Sequence, residues 1–265
     1  MSVSSQIQEL RGTLFRLAES HCVTGLKTGT EVEDMGFDEI AFLAEVAREI
    51  VPVTLKIGGP EARHDMRQCL SLGISTVLAP MIETLYALTN FVDTATELLL
   101  SSSNAPALAI NIESLTAVKH FDQMLESKAA EALSQVTVGR SDLSRSMHLP
   151  IDDPEVTAAA LSVIKKVNNR GLTSSLGGGL SLENINHLAG TLPLSQFNTR
   201  HTIFRNSPEF RTNPAARLYQ GLLFEERLYS TMSEIFPEKR DHYVRRAAVL
   251  SARMNGMKLL EKRAR

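Results

Sequence analysis

Short apolar runs of strand type recur along the first 205 residues, each followed by a stretch of helical period. This alternation constrains the fold more than any other feature. After a helix-like stretch from Ser5 to about Ser20, the strand-type runs are VTGLKT, VTLKIGG, STVLAPM, ALAINIES, QVTVGRSDLS, LTSSLGGG and QFNTRHTIF, the last ending at Phe204. Between the first two, FDEIAFLAEVAREI puts Phe37, Ile40, Ala41, Ala44 and Ala47 on one helical stripe. PEARHDMRQCLSLG opens on Pro60 and closes on Gly73, the usual asymmetry of helix ends. ETLYALTNFVDTATELLL, LTAVKHFDQMLES, PEVTAAALSVIKKVNNRG and SLENINHLAGTLP continue the series. Buried-type strands alternating with helices mean right-handed βαβ units and a parallel sheet.

An open doubly wound sheet and a closed barrel both satisfy this rhythm. The first strand–helix turn lacks GxGxxG, and the glycines Gly177–Gly179 come late, which disfavours a dinucleotide fold. Polar residues cluster at the C-terminal ends of the strands, where barrel sites are built. The reading is therefore an α/β fold, a (β/α)8 TIM-type barrel over residues 1–205, although the seven visible strands are one short of closure. Residues 206–265 read as a helical C-terminal extension, broken at Pro237 and Glu238 and packed on the barrel or on a neighbouring subunit. The extension holds 12 of the 28 basic residues against 7 acids. Without interleaved aromatics or a compact basic run, it reads as a solvated face with a subunit contact in a homo-oligomer.

Composition narrows the partners. A net charge of −2 gives no global attraction for nucleic acid or anionic membranes. No apolar run reaches the roughly 18–20 residues of a membrane span, and MSVSSQIQEL has no secretory pattern. Two cysteines, Cys22 and Cys69, without CxxC spacing fit a reduced cytoplasm.

Two acids stand where an apolar run ends. Glu113 closes ALAINIE and Asp142 follows QVTVGRS, 29 residues later, which is one βαβ repeat. In a barrel they share one rim, and two such carboxylates repel unless a proton, a basic side chain or a cation lies between them. Oxygen ligands with vacant positions suit Mg²⁺ or Mn²⁺. Taken singly, Asp142 reads equally as the N-cap of DLSRS and Glu113 as a first-turn helix acid. Lys56 in VTLKIGG and Lys27 in GLKTGTE offer a fixed positive charge for a carboxylate or enolate, or a Schiff-base amine. For Lys56 the plainer role is an ion pair with Glu31, Glu33 or Glu113.

LKIGGPEARHDMRQCLSLGISTVLAPMIET, ALAINIESLTAVKHFDQML and VTVGRSDLS together resemble the HpcH/HpaI aldolase–citrate lyase family, over roughly Val53 to Ser144. The resemblance implies a (β/α)8 barrel, often with swapped C-terminal helices, and a divalent metal at the rim. It implies Glu113 and Asp142 as metal ligands, with backbone N–H groups around Ser141 and Asp142 meeting the substrate carboxylate and Arg140 beside them. Lys56 stands where the family commonly has arginine. KTGTEVED lacks the histidine that the aldolase branch carries in a G-E-H context, so Glu31 or Glu33, a metal-bound water, His64 or His201 is left as the base. The function implied is a metal-dependent carbon–carbon lyase or aldolase acting through the enolate of pyruvate, oxaloacetate or a related 2-oxo acid. Three alternatives remain: a Schiff-base aldolase using Lys27 or Lys56, an acyl-CoA ester lyase, and a non-catalytic barrel that binds a small acid.

Overall fold

The computed structural model of the chain describes residues 2–99 and 102–263. Leu100, at the end of one expected helix, and Ala264 and Arg265, at the end of the expected extension, lie outside the described residues. The strands are β1 (Gly25–Gly29), β2 (Val53–Lys56), β3 (Thr76–Ala79), β4 (Ala107–Ile112), β5 (Leu133–Gly139), β6 (Thr173–Gly177), β7 (Gln196–Asn198) and β8 (Thr202–Arg205). They close a barrel in sequence order. Around them run α1 (Val3–Glu19), α2 (Phe37–Ala47), α3 (Arg63–Ser71), α4 (Leu85–Leu98), α5 (Leu115–Leu125), α6 (Arg140–Met147), α7 (Pro154–Asn169) and α8 (Ile185–Thr191). The chain then continues as α9 (Pro208–Thr212), α10 (Pro214–Ile235) and α11 (Arg240–Arg263). The fold is the expected closed eight-stranded α/β barrel of TIM type.

The eighth strand was hidden inside the seventh run. QFNTRHTIF supplies both β7 and β8, joined by Thr199, Arg200 and His201. Three residues are too few for a crossover helix, so the strands form a hairpin, and β8 runs antiparallel to both β7 and β1. All other neighbours are parallel.

Strand alternation separates two environments. Along β4, Leu108, Ile110 and Ile112 are buried in the apolar core with Phe121 and Met124 of α5. Asn111 and then Glu113 line a cavity at the barrel mouth. The same period places Lys56, Thr137, Gly139, Gly177 and Asn198 around that cavity. Burying each large aliphatic side chain on the outer face contributes about 1.5–3 kcal/mol, which lets the barrel carry a polar inner layer.

Caps fix where each helix leaves its strand. Ser114 caps α5 by accepting from Ala117 N at 3.1 Å, so Glu113 lies before the helix rather than in its first turn. Asp142 lies within the first turn of α6, whose cap position is Gly139, so it is not the N-cap. The chain after β8 is helical, with a single 3-10 turn at Pro237–Lys239 separating α10 from α11. α10 packs against α1, α8 and β8 of its own barrel. α11 is anchored by Tyr243, whose hydroxyl donates to Glu39, and by Lys239, 2.8 Å from the same carboxylate. No helix among the described residues is long and apolar enough to cross a membrane.

Candidate functional site

A cavity of about 320 Å³ opens at the C-terminal ends of the strands. Because the strands close in order, the β4–β5 rim faces the β8–β1 rim across it. The two rims carry opposite chemistry.

On the first rim, Glu113 is 3% exposed. Its Oε1 accepts from Met81 N at 3.0 Å and its Oε2 from Asn111 Nδ2 at 2.9 Å. Met81 adopts a left-handed backbone, φ 51°, uncommon outside glycine, and it is the N–H rather than the side chain that serves the site. At the end of β5, a Cβ on Gly139 would sit 2.7 Å from Glu113 Oε2, so only glycine lets that strand approach the carboxylate. Burial pushes the Glu113 carboxyl above its usual range; Lys56 opposes this and the like charge of Asp142 adds to it. Asp142 lines the same cavity, with its side chain 41% exposed and Oδ1 2.7 Å from Arg145. The two acids therefore feel each other, the condition that a cation relieves.

Lys56, 6% exposed, lies 2.6 Å from Glu31 and 3.7 Å from Glu113. It both makes the plain ion pair and lines the cavity. Burial pulls its ammonium down, but Glu113 and Glu31 outweigh this and leave its pKa raised, so the side chain stays charged. Glu31 is turned to Lys56 and is not among the lining residues. The β1 end is tied to the β2 end by Asp65, which accepts from Thr30 Oγ1 at 2.5 Å and Gly58 N at 2.8 Å.

On the facing rim, Lys27 projects from β1 and Glu33 from the loop after it. Glu33 Oε1 is 3.9 Å from Lys27 and 3.6 Å from Arg200 of the hairpin, while Oε2 is buried without a hydrogen bond. Burial lowers the Lys27 pKa and Glu33 only partly restores it. Burial would raise the Glu33 carboxyl, yet Lys27, His201 and Arg200 outweigh it and hold it low. The hairpin is fixed by Glu225 of α10, whose Oε1 accepts from His201 N at 2.7 Å and Thr202 N at 2.9 Å. Arg246, Val249 and Leu250 of α11 complete the mouth.

Other expected residues divide. Ser141 lines the cavity. Arg140 does not: it is 1% exposed, and its Nη2 donates to Ile151 O at 2.7 Å and Asp152 Oδ1 at 2.6 Å, holding the loop between α6 and α7. Successive helical residues point about 100° apart, which is why Arg140 turns away while its neighbours face inward. His201 is buried with Nδ1 2.9 Å from Lys27 O, its ring against Tyr229, and His64 packs edge-on against Phe37; neither lines the cavity. Gly178 has φ 85°, and a Cβ there would fall 2.6 Å from Ser141 N, so the glycine turn exists to press against Ser141. The thiols of Cys22 and Cys69 are pushed up by burial to about 11 and about 12, which makes them packing groups.

Sequence reasoning missed Asn111, Asn198, Arg200 and Arg246. For Asn111 a signal existed: it lies two residues before Glu113 in an apolar run and so on the same strand face. Arg246 comes from a helix that folds back over the barrel, and no local pattern encodes that.

The rim suits a hard divalent ion. A carboxylate offers about four acceptor positions, of which Glu113 uses two in hydrogen bonds and turns one oxygen toward Lys56. Asn111 Oδ1 beside it is buried with no partner. Among the described residues no group of three His, Cys, Asp or Glu side chains converges. Two carboxylates with water and substrate oxygens is the arrangement Mg²⁺ accepts.

The sequence profile of the family described as HpcH/HpaI aldolase/citrate lyase matches residues 31–176. No protein among the curated sequences matches the chain. Among solved structures, an HpcH/HpaI aldolase/citrate lyase family protein from Burkholderia cenocepacia J2315 superposes with a TM-score of 0.58 at 18% identity, covering 71% of this chain and 82% of that one. An HpcH/HpaI aldolase from Desulfitobacterium hafniense DCB-2 gives 0.57 at 15% identity, with 71% and 82% covered. The citrate synthase SbnG gives 0.54 at 16% identity, with 70% and 89% covered.

Proposed function

The chain belongs to the HpcH/HpaI aldolase/citrate lyase family, and from that premise we propose that it is a metal-dependent carbon–carbon lyase or aldolase. Its substrate is pyruvate, oxaloacetate or a related 2-oxo acid, and the reaction passes through the enolate. The observation that carries this reading is the pair Glu113 and Asp142 on one rim of one cavity, with charged Lys56 beside them.

Glu113 and Asp142 would hold Mg²⁺ or Mn²⁺, which supplies Lewis acidity toward the carboxylate and keto oxygens of the acid. Backbone N–H groups at Ser141 and Asp142, in the first turn of α6, orient the substrate carboxylate. Lys56 places a fixed positive charge where the enolate oxygen develops. Asn111 and Met81 N hold Glu113 in one rotamer, so the carboxylate does not reorganise during reaction. The proton at C3 goes to the Lys27–Glu33 pair, since Glu33 Oε2 has no partner and both residues line the cavity. Glu31 acts as the counter-charge that positions Lys56 rather than as the base.

A Schiff-base reading has one observation in its favour. Of the two lysines, Lys27 has the lowered pKa and Lys56 the raised one. Borohydride trapping of substrate on Lys27, insensitive to chelator, is its signature. Two unpaired, buried cysteines support a reduced cytoplasmic setting, and we keep the homo-oligomer as part of the proposal.

The test is exchange of the pyruvate C3 protons with solvent, followed by NMR with and without Mg²⁺. Metal-stimulated exchange that Glu113→Gln reduces by about 10³-fold or more is expected. Full exchange in that variant contradicts the assignment.

A further inference from the structure

The rim opposite the acids is cationic and incompletely paired. Lys27, Arg200 and Arg246 line it, against Glu33 and Glu225. Glu225 Oε1 is already committed to the backbone of the hairpin. Glu33 is shared between two cations, neither closer than 3.6 Å. Arg200 Nη1 is buried with no hydrogen bond. Arg246 reaches over the same side from α11, where its Nη2 makes one long contact of 3.3 Å to Val32 O. Buried guanidinium donors left without acceptors are costly, and an anion satisfies them in a fork that neither carbonyl nor amide supplies as well.

We propose that this rim is an anion subsite, built by Arg200 with Arg246, for a carboxylate or phosphate carried by the carbonyl partner of the 2-oxo acid. The proposal rests on the enolate reading above, because it is the β4–β5 rim that then fixes the 2-oxo acid and leaves its partner facing β8 and β1. In the condensing direction, C3 gives up one proton to form the enolate. C3 then forms the new bond to the partner's carbonyl carbon, whose π electrons move to oxygen, which takes up one proton. The cleaving direction returns both protons, and no electrons leave or enter. The subsite is built by the way this chain closes its barrel: Arg200 sits on a hairpin in place of a βα crossover, and Arg246 on a helix folded over its own barrel.

The experiment compares pyruvate condensation with glyoxylate, with glycolaldehyde phosphate and with neutral glycolaldehyde, in the full chain with Mg²⁺. The wild type is expected to prefer at least one anionic aldehyde, and Arg200→Met to lower the anionic-to-neutral ratio of kcat/KM by about 100-fold. Which anionic aldehyde is preferred separates carboxylate from phosphate. Arg246→Met provides a second variant if the first does not fold, with a smaller expected drop. Calorimetry adds a readout independent of turnover: 2-oxoglutarate should bind more tightly than its neutral-tailed isostere 2-oxopentanoate, and Arg200→Met should erase the difference. No preference in the wild type, or a preference unchanged in both variants, overturns the subsite. Absent pyruvate exchange together with an intact, Arg200-dependent preference for the dicarboxylate overturns the enolate reading and leaves the subsite standing.

Discussion

The two rims of the cavity are built from the same kind of strand end and do opposite things. On the β4–β5 side, two carboxylates are brought within electrostatic reach, and the backbone is bent around them at Met81 and thinned at Gly139. On the β8–β1 side, three cations face two acids, with Arg200 Nη1 left unfilled. The difference teaches how a barrel divides labour: one rim is organised to stabilise charge that develops on the substrate, the other to take up the C3 proton at Lys27 and Glu33 and, at Arg200 and Arg246, to receive charge the ligand already has. Lys56, on the strand next to β1, faces the acid rim because Glu31 and Glu113 hold it there.

Substitutions on the acid rim should remove chemistry, and those at Arg200 and Arg246 of the cationic rim should alter what is bound. Asp142→Asn is expected to cut metal-stimulated C3 exchange by about 10³-fold, read by NMR at saturating pyruvate. If exchange falls less than tenfold, the two carboxylates do not act as a pair. Lys56→Met should cost about 10²-fold in kcat, whereas Lys56→Arg, which keeps the charge, should recover most of it. Equal losses in both would mean that shape rather than charge matters at that position.

Glu33 belongs to the proton-accepting pair, so Glu33→Gln should also slow C3 exchange; its effect on stability is the smallest expected and tests the cationic rim as structure. Glu33 titrates below its ordinary 4.5 in the folded chain. A carboxylate whose pKa falls on folding adds stability that is complete above the unfolded value and lost as pH drops through the folded one. Glu33→Gln should therefore reduce stability by about 1–3 kcal/mol at neutral pH. It should also flatten the loss below pH 4.5, measured by urea denaturation across pH. An unchanged acid profile would show that Lys27 and Arg200 need no counter-charge.

The acid rim was legible in the sequence and the cationic rim largely was not. Glu113 and Asp142 stand at the ends of apolar runs one repeat apart, so strand period and barrel closure place both at the same end of adjacent staves. Lys27 and Lys56 were visible for the same reason. Arg200 was concealed because QFNTRHTIF is apolar at both ends with only a short polar break, and a three-residue turn leaves no helical period to mark it. Arg140 was expected to bind substrate beside Ser141, but helix geometry sends it to a different side, onto Ile151 and Asp152. The barrel's first six strands follow from repeated pattern; its closure and its cover depend on long-range packing of α10 and α11.

The most direct measurement is a titration with Mn²⁺, followed by electron paramagnetic resonance, in the presence of pyruvate. One ion per chain is expected, with affinity lost by at least about 100-fold in a Glu113→Gln, Asp142→Asn double variant that remains folded. Binding of the ion with undiminished affinity in that double variant would contradict the account.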